Sequence, residues 1–212
     1  MMIAWHQSWR RLPAQLGAAA ALALLAGCAA LDKPYVSSDT YVLAATRPGP
    51  PAVSVPTGAV LKVRAAALAP LAQSRAFLYR RTDERWESDY YNQFLVPPGP
   101  MLADLVRQWL ADSGLLGRVT DVSSLLAPTH VVEVGVTDLH ADYRPGGPAR
   151  AVLGLTLTLL DNAAPPRVLL QGRYREEVPL AEPSPAGLVR AWNAALATCL
   201  DRFEKDIHES VP

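Results

Sequence analysis

From Ala151 to Leu160 the chain places leucine at 153, 155, 157 and 159, with Gly154, Thr156 and Thr158 between them. Side chains leave a strand alternately on its two sides, so this period of two marks a strand with one face in a core. Four leucines on one face have to be covered. The turn-rich stretch Asp161-Asn162-Ala163-Ala164-Pro165-Pro166 follows, and it predicts that residues 168–178 return as the antiparallel partner.

The cover is written further along. Ser184 is a good helix N-cap with Pro185 behind it, and Leu188, Val189, Trp192, Ala195, Leu196, Cys199, Leu200, Phe203 and Ile207 form a continuous stripe at helical spacing. An earlier helix is expected after Pro97-Pro98-Gly99-Pro100, with Met101, Leu102, Leu105, Val106, Trp109 and Leu110 on one side and Gly114 as its stop. Further strands are expected at Val60–Val63 and at residues 131–142, where Val132, Val134 and Val136 share a face. Phe77–Arg80 and Trp86–Phe94 flank the charged stretch 81–85 and read as a hairpin, and Tyr41-Val42-Leu43 reads as a short strand for the edge of the domain. The fold class these elements predict is α+β: a mostly antiparallel sheet with two main helices packed on one face.

Ahead of the domain, Arg10 and Arg11 precede an uncharged apolar run from Leu16 to Ala26, then Gly27 and Cys28. The run is shorter than the roughly 20 residues a membrane-spanning helix needs. It reads as a secretory signal peptide ending in the lipobox Leu24-Leu25-Ala26-Gly27-Cys28. Small residues admit the signal peptidase, and the Cys28 thiol takes a diacylglyceryl group and palmitate-like acyl chains, becoming the new N-terminus. Residues 28–58, with Pro34, Pro48, Pro50, Pro51 and Pro56, read as a tether, because proline fixes φ and removes a backbone donor. The expected organisation is a signal peptide over 1–27, a lipidated tether over 28–58 and the folded domain over 59–212.

The full chain carries 20 basic and 20 acidic residues. The leader holds two of the basic ones and no acid, which leaves a mature chain near −2. Such a balance gives no footprint for nucleic acid and no basic patch for anionic lipid, so attachment falls to the acyl chains. Of the two cysteines, Cys199 lies within the apolar helical stripe and reads as a small buried hydrophobe.

Catalytic signals are sparse. Asp138, His140 and Asp142 share one side of a predicted strand, which makes a metal site conceivable but short of a fourth ligand; polar residues at a solvent-exposed strand end are the simpler account. His130 and His208 have no partner that spacing identifies. Neither a Gly-x-Ser-x-Gly elbow nor a Gly-Lys-Ser/Thr phosphate loop occurs. No cofactor is called for, and the chain does not read as an enzyme. A hydrolase built on Asp138, His140 or Asp142 is the weakest of three functional readings. The aromatic set Phe77, Tyr79, Trp86, Tyr90, Tyr91 and Phe94 cannot all face inward from a hairpin. Tyr79, Trp86, Tyr90 and Tyr91 are the candidate partner interface, for protein or for lipid.

The lipobox, the Tyr41-Val42-Leu43 piece, Leu61-x-Val63, Phe77-Leu78-Tyr79-Arg80, the Tyr90-Tyr91 pair, the 102–114 helix and the late strands and helix together resemble the ABC-type transport auxiliary lipoproteins, the PqiC-like family, over about 41–203. Phe94 stands where members usually carry tryptophan. The resemblance implies a non-catalytic outer-membrane lipoprotein, facing the periplasm, that serves an Mce-type system moving phospholipids or other hydrophobic molecules. Its implied partners are an Mce-domain protein and the permease and ATPase of the transporter, with a homo-oligomer left open. Ala29, in place of the aspartate that retains lipoproteins at the inner membrane, favours outer-membrane sorting. The alternative is a pilotin-like assembly lipoprotein for an outer-membrane protein.

Overall fold

The computed structural model describes residues 37–50 and 58–210. The lipobox and Cys28 lie outside the described residues, as do residues 29–36 and 51–57 of the expected tether. In order, the elements are β1 (Asp39–Tyr41), β2 (Val60–Leu68), a 3-10 turn (Pro70–Gln73), β3 (Ala76–Arg80), β4 (Trp86–Phe94), α1 (Pro98–Ser113), β5 (Arg118–Thr120), β6 (His130–Asp142), β7 (Arg150–Asp161), β8 (Arg167–Pro179) and α2 (Pro185–Ser210).

All eight strands belong to one sheet with β6 at its centre. One edge of β6 pairs antiparallel with β7 along its whole length, and β7 pairs antiparallel with β8. The other edge is shared. Its first part is taken by β2, from Leu61 opposite His130 to Leu68 opposite Val136, and its end by β3, with Tyr79 opposite Ala141 and Arg80 opposite Asp142. Beyond β2 lies β5, and beyond β3 lie β4 and then β1.

This corrects the expectation of a mostly antiparallel sheet with two helices packed on it. The architecture is mainly sheet, and the sheet is mixed: β1–β4, β2–β5, β2–β6 and β3–β6 are parallel, while β3–β4, β6–β7 and β7–β8 are antiparallel. The parallel pairs arise because β2 and β3, joined through the 3-10 turn, run the same way and share one edge of β6, which runs with both of them and against β4, the returning arm of the β3–β4 hairpin.

The core forms where the Leu153–Leu159 face meets α2. Tyr174 stands opposite Leu155 on β8, and its ring packs edge-on against Phe203 of α2 at 5.6 Å, which places the helix over the leucine face. Leu153, Leu155, Leu157 and Leu159 are buried, as are Val132, Val134 and Val136 beside them. The other face of β7 is less open than alternation alone predicts, since Val152 and Thr158 are buried as well. Ser184 accepts a bond from the Gly187 amide at 3.0 Å, the expected N-cap. At the far end of α1, Gly114 takes φ 69°, a left-handed conformation that costs glycine little. Cys199 is buried and free; burial pushes its thiol up to about 12, so it stays protonated at neutral pH.

The segment after β1 is packed. Leu43 is buried, the Ala44 amide donates to Asn193 Oδ1 at 2.9 Å, and Arg47 grips Glu204 of α2 through Nε at 2.9 Å and Nη2 at 2.7 Å. Glu204 also accepts from the Trp109 indole at 2.8 Å. One carboxylate thus ties the N-terminal segment, α1 and α2 together.

Candidate partner interface

The β3–β4 hairpin forms as expected, but its ladder is interrupted. From the Leu78–Ser88 pair to the Ala76–Gln93 pair, β3 advances two residues while β4 advances five. Extra residues on one strand have to bulge out of the sheet. Asp89 organises this bulge: its Oδ1 accepts from the amides of Tyr91 at 2.7 Å and Asn92 at 3.0 Å, and its Oδ2 from Tyr79 Oη at 2.5 Å and Asn92 Nδ2 at 2.8 Å. Burial works to raise the Asp89 carboxyl, but these donors outweigh it and hold the group below its ordinary range. Carboxylates accept such local amide bonds readily.

The bulge separates the four candidate aromatics. Tyr90 is 84% exposed and Tyr91 45% exposed, their rings edge-to-face at 5.3 Å. Tyr79 is turned to internal work. Its ring meets Tyr143 edge-on at 5.5 Å, and the Arg81 guanidinium lies 5.3 Å from one ring and 4.9 Å from the other. Desolvation and the bond to Asp89 raise its hydroxyl well above the usual tyrosine value. Trp86 packs edge-on against His140 at 4.8 Å, with the Arg80 guanidinium 5.6 Å away. The structure therefore brings Tyr90 and Tyr91 together at the surface and uses Tyr79 and Trp86 beneath. Phe77 and Phe94 face the core, both against Trp192.

Past Asn92, Gln93 and the buried Phe94, further apolar side chains are exposed beyond the end of β4. The Leu95 amide donates to the Tyr41 carbonyl at 2.8 Å, which sets Val42 and Leu95 side by side at the end of β1. Both are more than half exposed, and Val96 follows at 41%. Leu95, Val96 and Val42 were missed in the sequence because an exposed aliphatic is unremarkable by itself. Asp89 was missed because a carboxylate in a strand gives no sign that it caps a bulge. A second exposed apolar set, Val122, Leu125 and Leu126, lies on the β5–β6 loop, and Val168 and Leu169 open β8.

Asp138, His140 and Asp142 face the same side of β6, as the register opposite Gly154, Val152 and Arg150 requires. Asp138 and Asp142 each face an arginine, Arg175 at 3.8 Å and Arg144, and two of the three residues are not at a wet strand end. His140 and Asp142 are buried. Arg144 embraces Asp142, with Nη2–Oδ2 at 2.6 Å, and draws the carboxyl down to about 2. Among the described residues, no group of three or more His, Cys, Asp or Glu side chains is placed to hold a metal ion. The polar cleft of about 380 Å³ beside them is lined by Thr82, Asp83, Asp142, Arg144, Arg150 and the Pro145–Pro148 turn. Its arginines are both paired, Arg144 with Asp83 across the cleft at 2.7 Å and Arg150 with Glu177 of β8 at 2.9 Å.

What this arrangement presents to the outside is an aromatic and aliphatic sheet edge on a rigid domain. Residues 41–203 match the family model described as ABC-type transport auxiliary lipoprotein component, and the chain belongs to that family. Membership implies association with an ABC-type transport system and attachment to a membrane, facing the periplasm. The fold is shared with the crystal structure of a Xanthomonas campestris protein assigned to the DUF330 family: 18% identity, TM-score 0.64, 78% of this chain and 93% of that one. A second crystal structure, of an uncharacterised protein, is 13% identical with TM-score 0.57 over 79% of this chain and 99% of that one. Among curated proteins none matches the sequence.

Proposed function

We propose that this chain is a non-catalytic, outer-membrane lipoprotein that serves an Mce-type lipid transport system, anchored through acyl chains on Cys28 and docked on the periplasmic end of the transporter. Family membership over 41–203 carries the reading. It is supported by the lipobox ahead of the domain and by Ala29 in the sorting position. The cargo class, phospholipid or another hydrophobic molecule, follows from the transporter type and not from a cavity in this domain.

Two experiments test it. Extraction of the lipidated chain in mild detergent is expected to carry an Mce-domain protein with it; a folded, acylated chain that never does so overturns the partner assignment. Replacing Cys28 with alanine is expected to leave the domain folded, because the core of the described residues is built from Leu43 to Ile207, and to release the protein from membranes in cells lacking the transporter. A Cys28→Ala protein that still sediments with membranes there overturns the anchor.

A further inference from the structure

We infer that the β1–β4 edge is a membrane-facing strip that lies against the headgroup region of the bilayer to which Cys28 holds the chain. This rests on the reading of Cys28 as the lipidated residue. Five of the ten large apolar side chains exposed on the described surface lie along this edge: Val42, Tyr90, Tyr91, Leu95 and Val96. They form a line, since Tyr90 to Val96 run along β4 and out of its end, and Val42 joins them across the Leu95–Tyr41 hydrogen bond.

The place where the anchored chain enters the domain selects the bilayer as the occupant. β1 runs parallel to β4 with Asp39 opposite Asn92, so the chain preceding Asp39 meets the sheet at Tyr91 and Tyr90. Ten residues, 29–38, separate Cys28 from β1, and a chain of that length spans at most about 35 Å. The bonds from Ala44 and Arg47 to α2 fasten the segment on the far side of β1, so the leash cannot lengthen by peeling. A short leash raises the local concentration of the membrane for whatever lies beside its exit. What lies there is a tyrosine pair, a side chain with an apolar ring and a hydroxyl that favours the membrane–water boundary.

The chemistry of the strip also states which lipid surface it fits. Its flanking charges are mixed, Asp39 and Glu87 against Arg75, which is bound to Gln93. It therefore suits zwitterionic headgroups and gains nothing from anionic lipid or low salt. Because the sheet runs β1-β4-β3-β6-β7-β8 across the molecule, seating the β1 edge on the bilayer turns the β8 edge, with Val168 and Leu169, toward the periplasm.

The test uses the full-length lipidated chain with a photo-crosslinking phenylalanine analogue at position 90, 91 or 95, and at 125 on the β5–β6 loop as reference. Irradiation in cells, and of purified protein in phosphatidylethanolamine–phosphatidylcholine vesicles, is expected to give lipid adducts at 90, 91 and 95, to give few at 125, and to be unaffected by added salt. Adducts to protein alone at the strip, or lipid adducts no more frequent there than at 125, overturn the proposal. The mass of the Cys28 peptide from the same sample separates the two readings. An acylated Cys28 without lipid adducts at the strip sinks the strip and leaves the anchor standing, whereas an unmodified Cys28 sinks both.

Discussion

Two of the sheet's outer edges, β8 and β1, are protected in different ways. β8 is thirteen residues long and pairs only with β7, a length of unpaired backbone that invites another strand. It is guarded by charge: Arg173, Arg175, Glu176 and Glu177 follow one another along it, and Arg202 of α2 reaches down to Glu176 at 2.6 Å. β1 is three residues long, too short to template anything, and its surroundings are left apolar. A protein that can defend an edge with charge and does so on one side has not done so on the other. The unguarded edge is where contact with something outside the chain is expected.

The largest expected effect strikes the element joining both sides. Trp192 of α2 meets Phe77 at 5.0 Å and Phe94 at 5.4 Å on the β1 side, and its indole donates to the Val152 carbonyl of β7 at 3.2 Å. Truncating so large a buried ring leaves a cavity and removes the bond to Val152, so Trp192→Ala is expected to cost about 3–5 kcal/mol in chemical denaturation. A loss below about 1 kcal/mol would mean that the two halves are held together elsewhere.

Next comes the staple that fixes the N-terminal segment to its edge. Arg47 and Glu204 are only 11% and 15% exposed at the side chain, so the pair is largely desolvated and its loss strands a guanidinium. Glu204→Ala is expected to cost about 2–3 kcal/mol. It should also accelerate amide exchange over residues 39–47 while leaving β6 and β7 unchanged. Uniform acceleration across the sheet would show that the segment is not a separate unit.

The same contrast explains what could be read from sequence. The β6–β7–β8 side was legible because each strand announces itself by alternation, and consecutive strands with short turns pair antiparallel. On the β1 side the β3–β4 hairpin was legible, but the remaining pairings were not, because they join residues far apart: Leu61 with His130, Tyr79 with Ala141, Asp39 with Asn92. The 102–114 helix is visible in the sequence, but β6 runs against β4, the strand that precedes this helix, and with the more distant β2 and β3, so the helix does not report the sense of β6. For the interface, the Tyr90-Tyr91 pair could be found by composition. Its division from Tyr79 and Trp86 depends on the bulge at Asp89, which no periodicity reports.

A smaller effect should appear with pH. His140 is buried against Trp86, and desolvation holds its imidazole below the ordinary value; Asp138 and Asp142 pull the other way, while Arg175 and Arg80 add to the depression. Folding thus favours the neutral ring. Its contribution is complete above the usual histidine value of about 6.5 and is lost as pH falls through the lowered one. Stability should decline on acidification below about pH 6.5, and His140→Phe, which keeps a ring against Trp86 and cannot charge, should flatten that part of the profile. An unchanged slope would assign the acid sensitivity to carboxylates such as Asp142, whose own loss is confined to lower pH.

The smallest effect on stability is expected where the effect on contact is largest. Tyr90 and Tyr91 are exposed and meet edge-to-face, and the bulge that presents them is built from Asp89, Asn92 and Tyr79. The double replacement Tyr90→Ser/Tyr91→Ser keeps the amide that Asp89 holds at position 91, so it should change stability by no more than about 0.5 kcal/mol. A native-like denaturation curve together with weaker association with phosphatidylethanolamine–phosphatidylcholine vesicles would separate the unguarded edge from the core. A loss of several kcal/mol would instead make the tyrosines structural, and the contrast with the charged β8 edge would then concern folding and not recognition.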